Sequence, residues 1–208
     1  RHAGTTQGQS EHLLYGESII HEKLDNYTFE ISANSFFQTN TVQAEKLYQL
    51  IRNECNLSGN EIVYDLFCGT GSISIFIAEN AKKVYGFELV ESAVKDAERN
   101  AKLNNIENCS FFGGDLMDVF KTNDELADLP KPDVMVIDPP RSGMHPKTVQ
   151  QVLEQSPQRI VYVSCNPSTQ VRDIKFFTED SYEIKMVQPV DMFPHTPHVE
   201  NIVTLEKS

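Results

Sequence analysis

The sequence has 208 residues, of which 39% are hydrophobic, and this supplies the core of one domain of ordinary size rather than two. Lys and Arg number 18 against 30 Asp and Glu, so the formal net charge is −12 at pH 7. Such an acidic chain is not expected to bind nucleic acid or an anionic membrane through bulk charge. It contains no run of 18 apolar residues and no signal-peptide pattern, so we expect a cytoplasmic protein with no membrane partner.

The cysteine and histidine spacings predict neither disulfides nor a metal site. The four cysteines are too sparse for a disulfide scaffold and form no CxxC motif, so each is predicted to be a free thiol. His195 and His198 form an HxxH pattern. They lie in a proline-containing loop rather than on a helix, which argues against zinc binding.

Short β-like runs occupy residues 12–37 and differ in pattern from everything that follows. Two of them, 18–20 and 27–31, are separated by the turn residues Asp25 and Asn26, which predicts a small antiparallel element. We therefore expect a β-rich N-terminal segment over residues 1–35, the remnant of a central subdomain, and a second domain over residues 36–208.

The second domain begins with a helical pattern. Apolar residues recur at helical spacing from Ala44 to Cys55, and Gly59 lies beyond the predicted helix end. Strand-like and helix-like segments then alternate, with strands predicted at 62–67, 83–88, 110–112, 134–138 and 159–163. Repeated strand–helix units are typical of a parallel sheet with helices on both faces.

The last two strand-like segments break this alternation. Residues 182–190 and 200–205 are joined by a loop with proline and histidine instead of a helix, so the last strand is expected to run antiparallel. The sequence therefore predicts an α/β fold with a mostly parallel seven-stranded sheet and an antiparallel last strand. This architecture resembles that of class I, Rossmann-like methyltransferase domains.

Functional side chains are expected where the parallel strands end. The first predicted strand runs into residues 65–72 (DLFCGTGS), in which glycines allow a ligand to approach the backbone. The third glycine of a dinucleotide-binding GxGxxG motif is replaced by Ser74. Glu88 ends the second strand, where a carboxylate binds ribose hydroxyls, and Asp115 follows the third strand, where it can meet an adenine edge. Together these features favour S-adenosylmethionine over NAD.

Two further strand ends suggest chemistry. Asp138 is followed by two prolines that stiffen the turn, which either holds Asp138 at a pocket floor or simply makes it a cap of a rigid loop. Arg141 comes next, where enzymes that methylate exocyclic amines tend to have an aromatic residue. Cys165 precedes a helix with Asn166 as predicted N-cap and Pro167 at its first position. The helix dipole is expected to lower the pKa of the Cys165 thiol, which favours a nucleophile.

Five motifs in order resemble the RNA uracil-C5 methyltransferases, and most closely their bacterial 23S ribosomal RNA branch. They are residues 36–40 (FFQTN), 65–71 (DLFCGTG), 138–143 (DPPRSG), 164–167 (SCNP) and 191–200 (DMFPHTPHVE). The resemblance implies S-adenosylmethionine-dependent methylation of a uridine C5 in RNA through a covalent cysteine adduct. It implies that Cys165 is the nucleophile and Glu200 the general base. The residues implied to line the S-adenosylmethionine site are Gln38, Phe67, Ser72, Glu88, Asp115 and Asp138.

Two family features are absent from this sequence: the amino-terminal RNA-binding barrel and the cysteine cluster that holds an iron–sulfur centre in some members. We therefore expect 23S ribosomal RNA as the substrate, with an additional RNA-binding domain outside this chain. The alternatives are a transfer RNA uracil-C5 methyltransferase, an amino-methylating nucleic-acid methyltransferase, and a non-catalytic methyltransferase fold that docks RNA. A silent fold has no need of both Cys165 and Glu200, and an amino-methylating enzyme would not need Cys165.

Overall fold

The structure, a computed structural model, describes residues 12–33, 36–117, 119–122, 126 and 128–208. It begins with a hairpin of β1 (Ile19–Leu24) and β2 (Tyr27–Ser32), paired antiparallel. Asp25 in the hairpin turn has a φ of 54°, a left-handed conformation that Asp tolerates better than most residues. The small antiparallel element is confirmed.

Seven strands form the central sheet in the order β5-β4-β3-β6-β7-β9-β8. The strands are β3 (Ile62–Leu66), β4 (Lys83–Glu88), β5 (Cys109–Gly113), β6 (Val134–Ile137), β7 (Arg159–Ser164), β8 (Tyr182–Val190) and β9 (Glu200–Lys207). All neighbours from β5 to β7 are parallel, whereas β9 runs antiparallel to both β7 and β8. The predicted mostly parallel sheet with an antiparallel last strand is confirmed.

Helices cover both faces of this sheet. One hydrophobic cluster joins the strands to α1 (Thr41–Cys55), α2 (Ser72–Ala78) and α3 (Glu91–Leu103). A second cluster joins the opposite face to α4 (Val119–Thr122), α5 (Pro146–Gln155) and α6 (Pro167–Asp180). Within the described ranges, no helix has both the length and the apolar character needed to cross a membrane.

Helix α1 confirms the predicted spacing. Its buried side chains are those of Ala44, Leu47, Tyr48, Ile51 and Cys55. The helix stops earlier than Gly59 because Asn56 adopts a left-handed conformation with a φ of 49°. Asparagine is the most common substitute for glycine at this position of a helix end.

The N-terminal hairpin packs into the same core as the sheet. Leu24, Phe29 and Ile31 belong to the hydrophobic cluster that contains α1, α2 and α3. The hairpin therefore forms part of the hydrophobic core on the face of the sheet that α1, α2 and α3 cover. The division into a segment 1–35 and a domain 36–208 stays a prediction, and residues 1–11 and 34–35 lie outside the described ranges.

Candidate functional site

Strand geometry brings the predicted strand-end residues to one face of the sheet. Side chains alternate between the two faces, so Val63 contacts the α1–α3 cluster and Tyr64 the opposite one. By the same alternation, the side chains of Asp65 and Glu88 point toward α1–α3. Asp138 and Cys165 come directly after β6 and β7, and the same alternation points their side chains to this face too. Glu200 begins β9 on this face too, since Ile202 contacts the same cluster.

A tight glycine turn follows β3. Phe67 has a positive φ of 65°, and its N–H donates a 2.9 Å hydrogen bond to the Phe87 carbonyl on β4. Gly71 has a φ of 78°, and a Cβ there would lie 2.9 Å from the Cβ of Ala97 on α3. Only glycine fits this conformation and this close approach. The turn therefore presents open backbone at the start of α2.

Glu88 holds the glycine turn to the end of β4. Its Oε2 accepts a 3.0 Å hydrogen bond from Gly69 N, and its Oε1 accepts a 2.9 Å hydrogen bond from Val90 N. A carboxylate has about four acceptor positions, so both oxygens can accept further hydrogen bonds from a ligand. The geometry fits a bidentate contact with two ribose hydroxyls.

Carboxylates crowd beneath this turn, and burial opposes their ionisation. Burial and the charges of Glu200 and Asp65 raise the pKa of Asp138 to about 8. Burial raises the pKa of Asp65 to about 7, although Ser74 Oγ donates a 2.5 Å hydrogen bond to its Oδ2. Burial also raises the pKa of Glu200, whereas the nearby charge of Arg141 lowers it. A positively charged ligand would relieve the repulsion among these groups.

The pKa of Asp138 predicts how stability depends on pH. Because this pKa is raised in the folded state, from an ordinary value near 3.8 to about 8, the folded protein binds the proton more tightly than the unfolded chain. The Asp138 contribution to the free energy of unfolding is therefore largest below pH 4 and is lost as the pH rises to 8. Asp138→Asn is expected to stabilise the protein by on the order of 5 kcal/mol at pH 9 and to have little effect at pH 4.

Denaturant unfolding of both proteins between pH 4 and pH 9 measures this effect. The two stability profiles are expected to diverge as the pH rises. Parallel profiles would show that the Asp138 carboxyl is not held in its protonated form.

Cys165 and Glu200 meet through the register of two antiparallel strands. Ser164 on β7 is opposite Asn201 on β9, so the next position of each strand places Cys165 beside Glu200. Burial and the charge of Glu200 raise the pKa of the Cys165 thiol, whereas a hydrogen bond and the charge of Arg141 lower it. The predicted lowering of this pKa is therefore wrong for the chain alone, because burial and a neighbouring carboxylate outweigh the cation.

Arg141 lies near both Cys165 and Glu200, a placement that the sequence left open. Its charge lowers the pKa of both Cys165 and Glu200. Its Nη2 lies 3.3 Å from Nδ1 of His198, and its carbonyl oxygen accepts a 3.0 Å hydrogen bond from Asn166 Nδ2. The N-cap residue of α6 therefore also fixes the loop that bears Arg141.

Helix α6 makes a second contact with the loop that bears Arg141, through Asp173. Asp173 Oδ2 accepts hydrogen bonds of 2.8 Å from Met144 N and from the Tyr162 hydroxyl. Gly143 has a φ of 72°, and a Cβ there would lie 2.7 Å from Asp173 Oδ2. The stiff turn predicted from the two prolines is thus anchored by buried polar contacts that the local sequence does not reveal.

The remaining predicted site residues differ in burial. Gln38 is buried in the segment before α1, and Asn40 nearby donates a 3.0 Å hydrogen bond to the Met192 carbonyl, in the loop before β9. The Ser72 Oγ lies 3.0 Å from the buried Tyr48 hydroxyl. Asp115 is exposed beyond β5, and its Oδ1 accepts a 2.9 Å hydrogen bond from Met117 N.

Residues 7–208 match the family model of the tRNA (uracil-5-)-methyltransferases. The chain belongs to this family. The resemblance read from the five motifs is thereby confirmed at the level of the family. The match covers all eight residues predicted for the site, from Gln38 to Glu200.

The curated relatives that this chain matches are considerably longer than the chain itself. An uncharacterized RNA methyltransferase of Chlorobaculum tepidum is 46% identical over 201 residues, which are 97% of this chain and 42% of that protein. One of Enterococcus faecalis is 48% identical over 208 residues, covering 97% of this chain and 44% of that protein. The chain thus spans less than half the length of these relatives.

Solved structures share the fold. The tRNA (uracil-54, C5)-methyltransferase of Pyrococcus abyssi, in complex with S-adenosyl-L-homocysteine, has a TM-score of 0.78 and 37% identity, covering 92% of this chain and 45% of that one. The tRNA m1G37 methyltransferase of Methanocaldococcus jannaschii has a TM-score of 0.67 and 18% identity, covering 94% and 59%. The second likeness concerns the fold alone, and with the first it confirms the class I methyltransferase architecture.

Proposed function

We propose that this protein transfers a methyl group from S-adenosylmethionine to C5 of a uridine in RNA. The observation that carries the proposal is the pairing of Cys165 with Glu200 beside the carboxylate of Asp138. A thiol nucleophile and a separate base are what methylation of a uracil carbon requires, and an amino-methylating enzyme needs no such thiol. The P. abyssi relative and the family match support the same reaction class.

The charge of these carboxylates supports S-adenosylmethionine as the cofactor. The charges of Glu200 and Asp65 both raise the pKa of Asp138, and the charge of Glu88 raises the pKa of Asp65. S-adenosylmethionine carries a positive sulfonium and a positive amino group, whereas the pyrophosphate of NAD is negative. When bound, the cofactor supplies an electrophilic methyl group. The residues assigned to hold it are Gln38, Phe67, Ser72, Glu88, Asp115 and Asp138.

The protein's own side chains then act on the base in a fixed order. The Cys165 thiolate adds to C6 of the uracil, which moves electron density to C5 and makes that carbon nucleophilic. After methylation, C5 still carries its hydrogen. Glu200 removes this proton, the C5–C6 double bond re-forms, and Cys165 leaves as a thiolate. Because stacked RNA shields C5 and C6, the target uridine must first be turned out into the pocket.

Arg141 supports the thiolate within this order. Its hydrogen bond and charge oppose the upward shift that burial and Glu200 impose on the pKa of Cys165. Its carbonyl is held by Asn166, immediately after the nucleophile. The cation is therefore positioned by the same helix end that follows the cysteine.

The motif pattern favours 23S ribosomal RNA as the substrate, whereas the P. abyssi relative favours a transfer RNA uridine as the second candidate. A net charge of −12 and the greater length of the relatives support RNA docking through a further domain outside this chain. Because the proposed substrate is RNA, we also propose a cytoplasmic location.

Incubating the full-length protein and labelled S-adenosylmethionine with unmodified ribosomal or transfer RNA tests the proposal. We expect 5-methyluridine, identified by mass spectrometry of nucleosides, in one of the two RNAs. Label in N-methylated bases or in neither RNA would overturn the assigned reaction.

Glu88 gives a test of the cofactor site alone. Glu88→Ala removes both carboxylate oxygens, so two ribose hydroxyls lose their acceptors, and binding of S-adenosylmethionine is expected to weaken by about 1 to 3 kcal/mol. Calorimetric titration measures this change. Glu91→Ala, at an exposed acid at the start of α3, serves as the matched control and is expected to bind normally. Equal affinities for the two variants would remove Glu88 from the site.

A further inference from the structure

Two asparagine side chains, that of Asn100 on α3 and that of Asn104 at the C-cap of this helix, close the free edge of the N-terminal hairpin. Asn104 accepts a 2.8 Å hydrogen bond from Thr28 N and donates a 2.7 Å hydrogen bond to the Thr28 carbonyl. One helical turn earlier, Asn100 does the same with Glu30, at 2.8 Å and 3.3 Å. Thr28 and Glu30 are two residues apart and share one edge of β2, so the two amides take the place of a neighbouring strand.

Asn100 makes one contact that Asn104 does not make. Its Nδ2 also donates a 3.2 Å hydrogen bond to the Thr70 carbonyl, inside the glycine turn after β3. Asn100 is fully buried and Thr70 is 2% exposed, so water does not compete for this bond. The remaining donor of Asn104 goes instead to the Asn100 carbonyl in its own helix, at 2.8 Å. Asn100 is therefore the amide that joins the hairpin directly to the glycine turn.

The packing of α3 shows that the turn depends on this helix. Ala97 lies three residues before Asn100, on the same face of α3, and touches the turn so closely that Gly71 has no room for a Cβ. At its other end the turn is fixed by Gly69 N, which donates to Glu88 Oε2. The position of the turn is thus set by Asn100 on one side and by the proposed ribose-binding carboxylate on the other.

We propose that Asn100 is a positioning residue for the cofactor and couples the glycine turn to the N-terminal hairpin. This inference rests on the proposed use of S-adenosylmethionine. A coupling between two sites is reciprocal, so binding of S-adenosylmethionine at the glycine turn also strengthens the packing of β2 on α3. The segment that leads into the domain from the N-terminal side therefore responds to cofactor occupancy.

Calorimetric titration with S-adenosylmethionine of the wild type, Asn100→Ala and Asn104→Ala tests the positioning role. Each substitution removes two hydrogen bonds to the β2 backbone, but only the first removes the bond to the glycine turn. We expect Asn100→Ala to raise the Kd about fivefold to tenfold, and Asn104→Ala to change it by less than about twofold. Equal affinities for the two variants would overturn the inference. Failure of the wild type to bind would overturn the proposed function itself.

Amide hydrogen exchange on the unmodified protein tests the coupling without relying on a variant that must fold. The Glu30 amide hydrogen bonds to Asn100, and we expect S-adenosylmethionine to slow its exchange by at least about threefold. Unchanged exchange at Glu30 in a protein that binds the cofactor would overturn the coupling. Asn100→Asp retains the acceptor for Glu30 N and loses the donors, so its affinity is expected to fall with that of Asn100→Ala.

Discussion

Replacing Cys165 with alanine is expected to lower the rate of uridine methylation by roughly four orders of magnitude and to abolish any covalent protein–RNA adduct. Without the thiolate, C5 stays part of the intact uracil ring and is a poor nucleophile. Cys165 lies half-buried just beyond the end of β7, so the substitution leaves the central core unchanged. Methyl transfer to RNA and gel migration under denaturing conditions measure the two effects in the full-length protein.

RNA that contains 5-fluorouridine sharpens this test. Glu200 can remove a proton from C5 but not a fluorine, so the wild type is expected to remain attached to such RNA. Cys109→Ala provides a matched control, since Cys109 is another thiol that is not fully buried and lies on β5. This control is expected to form the adduct at the normal rate. An adduct that persists with Cys165→Ala would assign the nucleophile to another residue.

The elements that follow a simple periodicity could be predicted from the sequence. The buried face of α1 follows from helical spacing, and the parallel sheet follows from the alternation of strands and helices. The antiparallel last strand follows from the missing helix between β8 and β9. Asn166 and Pro167 are located at the start of α6 as predicted, because both residues have strong local preferences there.

The contacts that shape the site could not be predicted in this way, because they join residues far apart in the chain. Cys165 and Glu200 meet only through the register of β7 with β9. Asp173 on α6 looks like an ordinary surface acid in the sequence, yet it is buried and binds Met144 N. Asn100 gives no local signal at all, although its three hydrogen bonds connect the hairpin, α3 and the glycine turn.

The pKa of Cys165 shows why local reasoning is insufficient for chemistry. A helix N-terminus favours a thiolate, and the sequence predicts one after Cys165. Burial and the facing carboxylate of Glu200, which the local sequence does not show, raise the pKa of Cys165. The Cys165 thiol therefore stays mainly protonated while the negative charges of Glu200 and Asp138 are unbalanced. A cationic ligand beside these two carboxylates would favour the thiolate.

Replacing Glu200 with glutamine is expected to allow addition and methylation but to block release. Glutamine has nearly the same shape as glutamate and fits the buried position, yet it cannot accept the proton from C5. The rate of turnover is expected to fall by about two to four orders of magnitude, the usual contribution of a general base. The methylated adduct with natural RNA should then accumulate and survive denaturation, whereas the wild type releases its product.

The carboxylate at the other end of β9 makes the matched control. Glu206 lies on the same strand but forms an ion pair with Arg159 at the start of β7, far from Cys165 at the other end of that strand. Glu206→Gln is therefore expected to turn over normally without a trapped adduct. Burial raises the pKa of Glu200, and a carboxylate with a higher pKa is a stronger base once it is ionised. Full turnover by Glu200→Gln would mean that another group removes the C5 proton, because no step of the proposed order can finish without this base.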